Sequence, residues 1–253
     1  MQLISIKNKY QEKLAAYLFT PPHKACYLVV ICHGFRGAKE NGGRIYAWAE
    51  KLQKLGLASL AFDFSGSGSS EGDFTRISLS RQASDLKAVL DYAYERFCMP
   101  MILLGRSFGG STVLVGGSGD PRVAGCILWS TPVKMEQTFA GIMPEAYKLM
   151  RDGAAAMIND EGGSYVLQAD LVQDFARHDM DKYLAAIGSR PVLIVQASDD
   201  DVVHPDNAWY MQARLADCSL HMVESAGHRF MDKTEEREKI TIEWLEKKFS
   251  LRE

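Results

Sequence analysis

The sequence predicts an α/β fold built on a mostly parallel central sheet, and three observations predict it. Short, unbroken apolar runs at residues 26–32, 101–104 and 191–196 read as strands covered on both faces. Amphipathic helical periods fall between such runs, so strand and helix alternate along the chain. Residues able to do chemistry sit just past the ends of the runs, where open parallel sheets gather functional side chains.

The elements follow in order. Residues 3–7 and 13–19 alternate in polarity and read as two edge strands, and the opening shows no basic-then-apolar export signal. A helix over residues 44–55 puts Ile45, Trp48, Ala49 and Leu52 on one face and stops at Gly56, after which 58–64 returns as a strand. Ala83, Leu86, Val89, Leu90 and Ala93 recur at helical spacing within a long helix over 80–97. The strand at 101–104, a short helix at 111–115 and a sixth main strand at 124–130 come next. From Thr131 to Arg190 no strand is legible. Helices are expected at 144–157 and 165–175, so residues 133–188 are read as a helical cap inserted into one domain spanning 1–253. Met143, Met150 and Met157 are seven apart, a spacing that would line one helical face, packing the cap onto the body or facing an apolar ligand. Strands at 191–196 and 219–223 and a charged helix beginning near Thr234 complete the chain.

With 253 residues and 47% hydrophobic composition, the chain can bury one large core. Its net charge of −3 is dispersed, so there is no basic field to hold a phosphate backbone, and nucleic acid is not an expected partner. No run of 18 apolar residues suggests a membrane span, and the cytoplasm is the expected location. Five cysteines without CxxC spacing read as small hydrophobes rather than as metal ligands or disulfides. The sequence leaves a homodimer open.

The most informative feature is Gly105-Arg106-Ser107-Phe108-Gly109, a GxSxG turn between a buried strand and a helix. A serine hydroxyl is a weak nucleophile and needs a base beside it, in turn oriented by a carboxylate. His228 follows the strand at 219–223, and Asp199, Asp200 and Asp201 follow the strand at 191–196. These supply both groups in the order serine, acid, histidine. His204 competes as the base, whereas His23, His178 and His221 read as surface or core side chains. The stretch from Ser65 to Gly72 could suggest a phosphate cradle, but it lacks the GxGxxG order and no helix opens directly after it.

With these motifs together, the chain resembles the α/β-hydrolase superfamily from its first strand to its last helix. His33-Gly34-Phe35 is similar to the family's HGx turn after the third strand, which implies the N–H of Phe35 as one oxyanion-hole donor. The residue after the nucleophile, Phe108, corresponds to the second donor. Asp63 to Ser70 is similar to the DxxGxGxS loop, a structural feature of the family. Residues 197–204 are similar to its GxxDxVVP acid loop, with Ala197 for the glycine and His204 for the proline. That alignment implies Asp200 as the acid, with Asp199 and Asp201 one register away. The HGF turn, the size of the cap and the compact body look most like bacterial carboxylesterases of the cinnamoyl or feruloyl type. The resemblance implies a serine carboxylesterase that hydrolyses small or aromatic esters through an acyl-enzyme, with no metal or organic cofactor. A thioesterase, a lipase-like or peptidase-like hydrolase, and a catalytically silent binding protein are the alternatives.

Overall fold

The computed structural model describes residues 1–160 and 163–251. Its main sheet is built from β1 (Gln2–Lys7), β2 (Lys13–Phe19), β3 (Leu28–Cys32), β4 (Ala58–Phe62), β5 (Met101–Arg106) and β6 (Val123–Trp129). Beyond a separate antiparallel pair, β7 (Ala156–Asp160) and β8 (Gly163–Leu167), it is completed by β9 (Val192–Ala197) and β10 (Cys218–Val223). The eight strands lie in the order β1-β2-β4-β3-β5-β6-β9-β10, antiparallel from β1 through β2 to β4 and parallel from there on. This is the α/β-hydrolase architecture expected from the sequence. One expectation needs correction: β1 is an edge strand, but β2 lies inside the sheet between β1 and β4. Its alternation gave no sign that its second side was paired.

The unbroken apolar runs exist because both sheet faces are covered. Along β5, Met101 and Leu103 face one hydrophobic cluster while Ile102 and Leu104 face the other. The second cluster is closed by α1 (Ile45–Lys54) and, near the end of the chain, α9 (Thr234–Lys248), through Trp48, Leu52, Trp244 and Leu245. The first is closed by α2 (Leu79–Phe97) and α3 (Phe108–Gly117), together with the segment between β6 and β9. Ser78 caps α2 by accepting from the Arg81 N–H at 3.2 Å, and the helix stops at Cys98 in a left-handed conformation with φ 49°. Cys98 is exposed there, unlike the buried Cys32 and Cys126.

The segment between β6 and β9 departs from the expected pair of long helices. It holds α4 (Met135–Ile142), α5 (Pro144–Arg151), the β7–β8 pair, α6 (Asp170–Gln173), a 3-10 turn and α7 (Met180–Ile187). The first expected helix stops at Arg151 because Gly153 takes φ 93°, and the chain then adopts a two-residue period. In β7, Ala156 is buried while Met157 is 68% exposed. The expected helix at 165–175 starts as β8 and becomes helical only at Asp170. The methionine stripe therefore does not exist as one helical face: Met150 is the buried residue of α5, Met157 faces outward from a strand, and Met143 precedes α5. Between β9 and β10, α8 (Asp206–Gln212) packs Ala208 and Met211 into the first cluster.

The segment is fastened to the body by Asp174. Its carboxylate accepts from the Ser80 N–H at 2.7 Å and from the Ser80 hydroxyl at 2.7 Å, and lies 3.2 Å from His178 Nε2. Burial, the largest influence, pushes this carboxyl up, but the hydrogen bonds from His178 and Ser80 outweigh it and hold the pKa at about 2. A folded pKa below the unfolded value stabilises the protein above about pH 4, and that stability is lost as pH falls through about 2. Asp174→Asn is accordingly expected to lower unfolding free energy at neutral pH by about 2 kcal/mol. In urea titrations its gap from wild type should shrink between about pH 4 and pH 2.

Candidate active site

Parallel strands bring their carboxyl ends to one edge, so the loops after β3, β5, β9 and β10 meet there. Between β5 and α3, Ser107 takes φ 52° and ψ −127°, a sparsely populated conformation that costs a non-glycine residue ~1–3 kcal/mol. The turn holds that strain with two backbone bonds, Ser107 N–H to the Trp129 carbonyl and Gly110 N–H to the Ser107 carbonyl, each 2.8 Å. Its two flanking glycines are obligatory. A Cβ on Gly105 would stand 2.5 Å from the Gly109 carbonyl oxygen, and one on Gly109 would overlap the carbonyl oxygens of Cys32 and His33.

The Ser107 hydroxyl lies 3.1 Å from His228 Nε2, and His228 Nδ1 lies 2.9 and 3.1 Å from the two carboxylate oxygens of Asp200. Asp200 is buried and fixed independently of the histidine. One oxygen accepts from the N–H groups of Val202 and Val203 at 3.0 and 2.8 Å, and the other from Gln196 Nε2 at 2.8 Å. Among the three consecutive aspartates it is the one that reaches His228. Asp199 instead accepts from the Ala226 and Gly227 N–H groups, 3.0 Å each, and so anchors the loop that delivers the histidine. Those two bonds, the one from Gly227 foremost, hold its carboxyl below the usual range. Asp201 is exposed. His204 is also exposed, its Nδ1 accepting from the Asp206 N–H at 3.3 Å, and does not join this group.

The turn after β3 is set by His33, whose burial pulls its pKa down and favours the neutral ring. Its Nε2 accepts from the Phe64 N–H at 3.2 Å, so Nδ1 carries the proton and donates to the Gly34 carbonyl at 2.8 Å. The next step of the loop is held by Lys39. Its ammonium lies 2.8 Å from Asp63 and 2.7 Å from Glu40, and its N–H donates to Asp63 at 2.6 Å. Asp63 also accepts from the Ser69 N–H at 2.8 Å, while Asp85 accepts from Ser65. The glycine- and serine-rich loop is thus folded around protein carboxylates and is not arranged as a phosphate cradle. Lys39→Met would strand Asp63 as a buried unpaired charge and is expected to lower stability by about 3–5 kcal/mol in urea unfolding.

Phe35 and Phe108 flank the serine, their rings edge-on with centroids 6.2 Å apart, and Phe108 is the first residue of α3. A cleft of about 620 Å³ opens over Ser107 and His228. One wall is aromatic: Phe139 of α4 lies 5.8 Å from Phe35, 5.6 Å from Phe108 and 5.0 Å from Phe175, centroid to centroid. Arg44, Arg106 and Arg229 also line the cleft. Sequence reasoning missed Gln196, Lys39, Phe139 and these arginines. A glutamine ending an otherwise apolar strand was the one local signal for Gln196; the others are brought in by tertiary packing. Among the described residues, no cluster of three or more His, Cys, Asp or Glu side chains could hold a metal ion, and no helix is long and apolar enough to cross a membrane.

Residues 23–184 match the family model Hydrolase_4, described as serine aminopeptidase, S33. The chain belongs to this α/β-hydrolase family. Over its full length it is similar to Est1E from Butyrivibrio proteoclasticus, solved with ferulic acid bound: the TM-score is 0.86 at 23% identity, covering 97% of this chain and 98% of that one. Mouse alpha/beta hydrolase domain-containing protein 10 superposes with a TM-score of 0.79 at 20% identity, covering 98% of each chain. Among curated relatives, human mitochondrial palmitoyl-protein thioesterase ABHD10 is 26% identical over 182 residues, 70% of this chain and 57% of that protein. The quorum-quenching protein AidA of Acinetobacter baumannii (strain MDR-ZJ06) is 33% identical over 120 residues, 46% of this chain and 39% of AidA. The chain thus spans less than two thirds of the length of these two relatives.

Proposed function

We propose that this hydrolase is a serine carboxylesterase with Ser107 as nucleophile, His228 as general base and acid, and Asp200 as the group that orients and charge-balances the imidazole. The observation that carries the reading is the unbroken line of hydrogen-bond distances from the Ser107 hydroxyl through both ring nitrogens to a buried carboxylate. In this reading His228 Nε2 takes the hydroxyl proton as Oγ attacks the ester carbonyl. The backbone N–H groups of Phe35 and Phe108 hold the oxygen as it becomes negative, and such a donor is worth ~3 kcal/mol at comparable sites. The alkoxide leaves with the proton from His228, giving an acyl-enzyme and a free alcohol. Water, deprotonated by the same ring, then releases the acid and restores Ser107. Residues 133–188 act as the cap, with Phe139 supplying an aromatic wall suited to a flat acyl group such as a hydroxycinnamoyl. The ferulic acid bound to Est1E supports that choice.

A thioester substrate is the second reading, favoured by the similarity to a palmitoyl-protein thioesterase. Purified protein should turn over methyl ferulate and p-nitrophenyl acetate and butyrate faster than acyl-CoA. Hydrolysis of acyl-CoA alone would move the assignment to the thioesterase, and turnover of neither would favour a binding protein. A small-molecule ester in the cytoplasm is the proposed setting, with no nucleic-acid partner. A homodimer is to be tested by light scattering.

A further inference from the structure

The cationic lining of the cleft points to a chemical class of substrate. Arg44, Arg106 and Arg229 line the same cleft as Ser107 and His228. Among the described residues, none of the three forms an ion pair with a carboxylate. Arg106 donates one bond, from Nη1 to the Asn41 side chain at 3.2 Å, and Arg44 reaches the Thr234 hydroxyl at 3.4 Å and the Met231 sulfur at 3.8 Å. Of the nearby acids, the exposed Asp201 and Asp232 line a neighbouring pocket with Arg229, and the two buried ones are committed elsewhere. Asp200 holds His228, and Glu238 is ion-paired with Lys51 at 2.7 Å. Arg36, also in the cleft, is stacked on Tyr165 at 4.1 Å.

A further, buried guanidinium interacts electrostatically with Arg106. Arg237 is 1% exposed and lies 4.1 Å over Trp129 and 5.1 Å from Phe230, and among the described residues its Nε and Nη1 have no hydrogen-bond partner. Burial foremost, then Arg229 and Arg44, pull Arg106 below the usual guanidinium range. Clustered like charges in a partly desolvated cleft repel one another unless an anion joins them, and a planar carboxylate or a phosphate fits the guanidinium fork. That such a cluster persists beside the nucleophile of a protein with net charge −3 makes it a local feature and not a reflection of overall charge.

We infer that the ester taken by this cleft carries an anionic group, a carboxylate or a phosphate, bound by Arg106 together with Arg44 and Arg229. The inference rests on the serine-hydrolase reading and names the substrate class for that same site. Arg44, Arg106 and Arg229 are then specificity-determining residues, while bond cleavage is left to Ser107 and His228.

Matched ester pairs test it. On the alcohol side, 3-carboxyphenyl acetate is compared with 3-carbamoylphenyl acetate, and 3-(phosphonooxy)phenyl acetate separates phosphate from carboxylate. On the acyl side, 4-nitrophenyl hydrogen adipate is compared with its methyl ester. In at least one pair the anionic ester should have kcat/KM about tenfold above its neutral partner, a ratio that falls as NaCl rises from about 50 to 500 mM. Arg44→Gln and Arg229→Gln should each reduce that ratio about threefold or more, and Arg106→Gln should reduce it further. If Arg106 were only a clamp on Asn41, its substitution would slow both members of a pair alike and leave the ratio intact. A wild-type ratio at or below one with every probe, on an enzyme that still hydrolyses the neutral esters, overturns the inference. Failure to hydrolyse any ester, charged or neutral, overturns the serine-hydrolase reading itself.

Discussion

Ser107→Ala should lower kcat on p-nitrophenyl butyrate by about 10⁴-fold or more while the fold stays intact. Oγ is the single atom removed, and its hydrogen-bond partner is His228 at 3.1 Å. The strained backbone at φ 52° is kept by the strand, the helix and the two glycines, none of which needs the hydroxyl. Thermal unfolding of the variant should therefore track wild type within a few degrees. A merely structural turn would show the opposite pattern, with activity following stability. Retained turnover in the variant would assign the activity to another group or to a contaminant.

The second large effect is expected at Asp200, where Asp200→Asn should reduce kcat by about 10⁴-fold, as in comparable triads. Its carboxylate accepts from four groups, three of them fixed by the loop and by Gln196. An asparagine has one acceptor oxygen, which the Val202 and Val203 N–H groups claim, and its amide would then face His228 as a donor. Nδ1 must become the acceptor, the proton moves to Nε2, and the ring can no longer take a proton from Ser107. Asp199→Asn is the control. The Ala226 and Gly227 N–H groups can still be accepted by an amide oxygen, so kcat should stay within about threefold of wild type. Reversed effects at 199 and 200 would shift the acid by one position.

How far the sequence could be read follows from what each element depends on. Strands such as β3, β5 and β9 were legible because burial on both faces writes a continuous apolar run, and α1 and α2 because one buried face writes a helical period. The elbow and the acid loop were legible because their geometry demands particular residue types at fixed spacing. The acid-loop alignment pointed to Asp200 with its two neighbours one register away, and Asp200 is the one whose carboxylate faces inward to His228, a matter of a single backbone turn. The segment between β6 and β9 was misread for a physical reason. The β7–β8 pair is short and half-exposed, so its alternation of Ala156, Met157 and Ile158 is too brief to outweigh the helical propensity around it. The aromatic and cationic lining of the cleft could not be read at all, because Phe139, Arg44, Arg106 and Arg229 come from separate elements and meet only in the folded chain.

Incubation with a fluorophosphonate probe, followed by intact-mass and peptide mapping, tests the nucleophile assignment most directly. The expected result is a single adduct per chain, on Ser107, formed far more slowly when His228 is replaced by alanine. An unmodified Ser107 in a folded, probe-treated chain, or an adduct on a different serine, would contradict it.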